Sequence, residues 1–161
     1  MKAAKGLTNN SNSGTMSSGA ITGAYNNKND PEGIMRKAHA EKYYSSMRNS
    51  EKDSIVFAIA KNANVDTKSV SKMYDHLLIN KYHLDKGLAN FDEDYDIAES
   101  LRRLREGKDI QAHDLLLVKH EALEYDLMNE EGLPYEEAHA IANKSFDYQT
   151  ALEKWLDEIK G

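Results

Sequence analysis

From residue 30 onward, apolar residues recur at helical spacing and the breaks between runs carry helix-end chemistry. Asp30-Pro31-Glu32 predicts a helix start: a side-chain cap, a proline in the first turn and an acid near the positive dipole end. Ile34, Ala38, Tyr44 and Met47 then recur at helical spacing. Ser50-Glu51-Lys52-Asp53 has the form of a capping box ahead of Ile55, Val56, Ile59 and Ala60. Asp66 can cap a third helix carrying Val70, Met73, Leu77 and Leu78, and residues 80–92 read as a loop or short turn. Asp92 is the expected cap of a fourth helix with Tyr95, Ile97, Ala98, Leu101 and Leu104, stopped by Gly107. Asp109 is expected to cap the fifth, whose apolar positions run from Ile110 to Met128 and which closes at Gly132. Pro134 opens a sixth helix to about Asn143, and Asp147 caps a seventh with a stripe of Tyr148, Ala151, Leu152, Trp155, Leu156 and Ile159. The expected fold is all-α, an orthogonal helical bundle of about seven helices.

Residues 1–29 break this pattern. They are dominated by Asn, Ser, Gly and Thr, with three lysines and no acid, and hold too little apolar surface to offset the entropy of ordering them. They read as a disordered polar leader or linker, 1–29, ahead of a single all-α domain, 30–161. That domain is expected to comprise a helical corner over 30–90 and a helical hairpin region over 91–161.

The 161 residues suffice to bury a core. No apolar run approaches the ~20 residues of a membrane-spanning helix, and the N-terminus lacks the apolar centre of a secretory signal. With no cysteine, a disulfide scaffold, a thiolate zinc site and a cysteine nucleophile are excluded. The net charge is −6 over the chain, and the domain alone carries 18 basic and 27 acidic residues. That balance disfavours holding nucleic acid by electrostatics alone.

Two constellations carry candidate chemistry. Residues 59–74, IAKNANVDTKSVSKMY, resemble a helix-turn-helix: Ala60 at a helix crossing, Asn64 at a tight turn that tolerates positive φ, Val65 beneath it and Val70 anchoring the second helix. On the DNA reading, Lys68, Ser69 and Lys72 would face a groove. Between Ser50 and Lys81, however, five lysines meet four acids, where a DNA reader shows a clustered basic face; a plain helical corner fits the same residues.

The second constellation lies on the fifth and sixth helices. His113 and His120 are seven apart and share a face; Glu121 adjoins His120, and Glu124 follows one turn later. After the Gly132-Leu133-Pro134 bend, His139 falls level with the His120–Glu124 turn. The string His120-Glu121-Ala122-Leu123-Glu124 echoes the logic of the H-E-x-x-H zinc peptidases, with glutamate in the place of the second histidine. On that reading His120, Glu124 and His139 ligate a divalent metal, zinc first by donor type, and Glu121 is the general base. A metal-free alternative has His113 and His120 transferring protons at a phosphodiester, with Glu121 or Glu124 orienting one of them. The third possibility is a structural network in which histidines bond glutamates or helix carbonyls. His113-Asp114 also spells the pair of helical phosphohydrolases, without the partner residues. Arg102, Arg103 and Arg105 are expected to neutralise neighbouring acids, and His39 and His76 show no company.

Six segments together resemble a known module: SGAI (18–21), HAEKYYSSMR (39–48), IAKNANVDTKSVSKM (59–73), FDEDYDIAESLRRLREGK (91–108), HDLLLVKHEALEYDLM (113–128) and YEEAHAIANKSFDY (135–148). The module is found at the C-terminus of minor head (head-morphogenesis) proteins of Gram-positive phages and of secreted polymorphic toxins. The resemblance implies an effector delivered as part of a larger protein into a recipient cell, with the leader as the stub of a linker. It further implies a carrier or immunity protein as partner. The competing expectation is a non-catalytic interaction module.

Overall fold

The computed structural model describes residues 25–160. The expected leader lies, but for Tyr25–Asn29, outside the described residues, as does the segment SGAI. The described residues divide into two units that part between Arg36 and Lys37. In the first, Asp30 accepts the backbone N–H groups of Met35 and Arg36 and pairs with the Arg36 guanidinium. Asp30 therefore does cap a helix, but that helix, α1, begins only at Ile34 and runs to Arg48.

The described residues form an all-α helical bundle. After α1 come α2 (Lys52–Ala63), α3 (Thr67–Tyr74), a π-helical turn (Asp75–Ile79), a hairpin of β1 (Tyr82–Leu84) and β2 (Gly87–Ala89), α4 (Tyr95–Glu106), α5 (Ala112–Asn129), α6 (Tyr135–Ser145) and α7 (Tyr148–Lys160). α5 is the central rod and packs on α3, α4, α6 and α7. The core of the second unit gathers Tyr44 and Met47 from α1, Ile55 and Ile59 from α2, Val70 and Met73 from α3, Leu101 and Leu104 from α4, Leu117 and Val118 from α5, and Leu152 from α7. Each such aliphatic side chain contributes about 1.5–3 kcal/mol by leaving water.

Several helix ends follow their local chemistry. Asn64 closes α2 with φ 56°, Gly107 closes α4 with φ 73°, and Gly132 bends the α5–α6 connection with φ 74°. Asp66 accepts from Ser69 N and Asp147 from Thr150 N, as expected of caps. Others differ. α4 is capped by Asp94, not Asp92, because Asp94 sits one residue before the first helical position and reaches Ile97 N. α5 is capped by Gln111 in a reciprocal box with Asp114; Asp109 instead takes a left-handed backbone, φ 58°. The expected box at Ser50 does not form, because Ser50 Oγ donates back to Ser46 O and Glu51 caps α2 without a side-chain bond.

Two features depart from the expected third helix and the loop or short turn after it. The π turn adds a residue to the helical register and brings His76, Leu77 and Leu78 inward in succession. The hairpin then pairs Tyr82 with Ala89, His83 with Leu88 and Leu84 with Gly87. So short a hairpin is marginal alone. It is tied down where Tyr82 reaches inward and where Asn90 donates to the carbonyls of Ile79 and Asn80.

Candidate metal centre

α5 supplies three of the centre's groups. His120 and Glu124 are one helical turn apart, and Glu121 lies beside them. All three are buried. α6 returns antiparallel after the Gly132 bend, fastened by Leu133 N donating to Leu127 O at 2.9 Å. The fully buried Ala138 and Ala142 place no bulk on the inner side of α6, so its backbone can approach α5 closely and present His139. The π turn presents a third imidazole, that of His76.

Glu124 is the hub. Its Oε2 lies 3.1 Å from His120 Nε2 and 2.9 Å from His139 Nδ1, and its Oε1 lies 2.8 Å from His76 Nε2. His120 Nδ1 donates to the Phe146 carbonyl at 3.0 Å, so Nε2 is the nitrogen turned to Glu124. Such a carbonyl partner fixes tautomer and ring orientation in metal-ligating histidines. Tyr135 stacks on His139, with centroids 5.3 Å apart. Three donor atoms of one triad (His120, Glu124, His139) lie within 4.8 Å of one another, and so do those of a second (His76, Glu121, Glu124).

Glu121 is different in kind. Among the described residues its carboxylate makes no hydrogen bond, although the residue is only 6% exposed. Its nearest imidazole nitrogens are His120 Nε2 at 3.8 Å and His76 Nε2 at 3.9 Å. Burial and then the neighbouring Glu124 charge push its pKa well above the usual carboxylate range. Burial would raise Glu124 too, but its hydrogen bonds with His120 and His76 outweigh that and hold it low. Burial alone would lower His120; the bond to Glu124 and the Glu121 charge outweigh it and raise its pKa.

The centre opens to solvent. His120, Glu121, Glu124 and His139 line a cleft of about 840 Å³, walled on one side by the hairpin and on the other by α6. The wall also carries Asp85, Asp92, Asp94 and Glu136, against one lysine, Lys86, which pairs with Asp92. The cleft is therefore strongly acidic.

The structure thus brings together His120, Glu121, Glu124 and His139 from the expected set. It does not bring His113 there. Seven residues along a helix is also about 10 Å of rise, and at that level α5 faces α4 and α7. His113 is fully buried, accepts from Arg103 Nη2 at 3.1 Å and packs against Tyr148 and Trp155. Burial pushes its pKa down, against the Asp114 charge. Asp114 takes two bonds from Arg103 at 2.8 Å, so the His-Asp pair is part of a closed ion pair. Of the groove-facing candidates, Ser69 bonds Asp66 and Lys72 pairs with Asp126 of α5 at 2.7 Å; Lys68 is exposed.

Two histidines without evident company have it. His39 Nε2 lies 2.7 Å from the buried Glu99, which Arg102 also pairs. His76 reaches Glu124 across 48 residues of sequence, a link no spacing rule could supply. Among the described residues no helix is long and apolar enough to cross a membrane. No family model, curated protein or solved structure matches this chain.

Proposed function

We propose that this chain is a metal-dependent hydrolase module of effector type. His120 Nε2, His139 Nδ1 and Glu124 Oε2 would hold a divalent cation, zinc first by its two imidazoles and one carboxylate. Glu121 would act as general base. The observation that carries the reading is Glu121 itself: a buried carboxylate without a hydrogen-bond partner among the described residues, facing an open cleft beside a His–Glu–His triad. Burial and the Glu124 charge disfavour the ionised form of Glu121, and a cation bound beside it would favour that form. When bound, a divalent cation lowers the pKa of a coordinated water and polarises a substrate oxygen. Glu121 would take the proton of that water, and His120 would be kept in place by the Phe146 carbonyl.

The acidic wall of the cleft favours this version over the metal-free one. A phosphodiester brought to two imidazoles would meet the carboxylates of Asp94, Glu121 and Glu124, with Lys86 already paired to Asp92. Delivery in a larger phage or secreted protein, with a carrier or immunity partner, completes the proposal and is supported by the sequence resemblance alone. Expression of the wild type in a bacterial host should slow growth, and His120→Ala should remove that effect at equal protein level. Equal harmlessness of the two proteins would refute the effector reading.

A further inference from the structure

Both triads that share Glu124 are cation ligand sets by donor type, but the surroundings of His76 separate them. His76 is fully buried and boxed by the rings of Tyr82, Phe91 and Tyr125, at centroid distances of 5.1, 5.0 and 6.2 Å. Its Nδ1 lies 2.7 Å from Tyr82 Oη, and its Nε2 lies 2.8 Å from Glu124 Oε1. A phenolic oxygen has two lone pairs and one proton. Asn129 Nδ2 donates to Tyr82 Oη at 2.8 Å, and that atom is fixed as the nitrogen because it also donates to the Tyr125 carbonyl at 2.9 Å. Asn80 Nδ2 donates to the same oxygen at 3.1 Å. With both lone pairs filled, the phenolic proton points at His76 Nδ1. Nδ1 is then an acceptor, and the ring proton sits on Nε2, where it donates to Glu124. His76 is absent from the lining of the cleft that His120, Glu121, Glu124 and His139 share, so a cation entering there meets Glu124 Oε2 and not the His76 ring.

We infer that His76 is a positioning residue and not a ligand: its Nε2–H ties down Glu124 Oε1, which leaves Oε2 alone to face His120 and His139. The inference rests on the metal reading above. It gives the hairpin a purpose in the site, since Tyr82 on β1 sets which nitrogen of His76 bears the proton. It also limits the centre to a single cation, because His76, Glu121 and Glu124 cannot then form a second complete ligand set.

The test uses the full chain without a polyhistidine tag. Ring ¹⁵N spectra of the metal-free protein should show His76 protonated on Nε2 with Nδ1 bare, a readout that needs no variant. Zinc titration should saturate at one equivalent. Tyr82→Phe should keep that stoichiometry and weaken zinc binding about 10-fold or more, the usual effect of losing an outer partner of a ligand, with His76→Ala behaving alike. A proton on His76 Nδ1, alone or with one on Nε2, would overturn the inference. So would two equivalents in the wild type falling to one in His76→Ala, or unchanged zinc affinity in a folded Tyr82→Phe. No zinc uptake by the wild type would instead overturn the metal reading itself, and this inference with it.

Discussion

α5 carries two buried His–carboxylate clusters, one near each end, and they differ in how their charges are met. Toward the N-terminus, Asp114 receives two bonds from Arg103, whose Nη2 also reaches His113; all three residues are sealed from solvent, and the guanidinium lies 5.1 Å from the Trp155 ring centre. Farther along, Glu121 and Glu124 sit one turn apart with three imidazoles and no fixed cation, at the floor of a cleft. The first cluster has its positive charge built in. The second lacks it and has a way for one to enter. Burial and residue type are common to both, so neither is what marks a site. What sets the second cluster apart is a carboxylate, Glu121, that makes no hydrogen bond among the described residues and lines a cleft.

That contrast can be broken from the closed side first. Arg103→Ala leaves Asp114 buried and unpaired and should destabilise the protein by about 3–5 kcal/mol, read as a drop in urea midpoint. A loss below about 1 kcal/mol would show that the cluster is not the closed ion pair described. Next comes pH. Glu99, buried beside His39 and Arg102, is disfavoured as an ion by its burial, but the His39 hydrogen bond and the Arg102 charge outweigh that and hold it down to about 2. Its folded pKa lies below its ordinary 4.5, so its contribution is complete above that value and is lost as pH falls toward 2. The contribution is on the order of 3 kcal/mol. Between about pH 6 and pH 3 the wild type should therefore lose more stability than Glu99→Gln, and parallel losses would contradict the assignment. The smallest effect belongs to the open cluster. Glu121→Gln removes a carboxyl whose ionisation burial and Glu124 oppose, and should raise the metal-free protein's stability on the order of 1 kcal/mol while abolishing the proposed growth effect. A destabilised variant would mean that Glu121 is a structural anchor.

Much of this was legible where the controlling physics is local. Asp66, Asn64, Gly107 and Gly132 act through their own backbone positions, and the turn spacing of His120 and Glu124 with the bend at Gly132 placed His139 correctly. Choices between near-equivalent neighbours were not legible. Asp92 and Asp94 are both good caps, and only the start of α4 selects Asp94. His113 shares a helix face with His120, but which neighbour covers that face changes along α5, and this is a tertiary fact. His76 was invisible because the π turn that points it inward and the 48-residue link to Glu124 leave no periodic trace. The hairpin escaped for a similar reason: three-residue strands are too short to show alternation.

The central claim is that α5 and α6 form a cation centre and not a filled polar network, and metal content of the untagged full chain tests it most directly. After dialysis against zinc and removal of free ion, the wild type should retain a single equivalent and His120→Ala should retain none. Wild-type protein holding no more metal than His120→Ala would contradict the account.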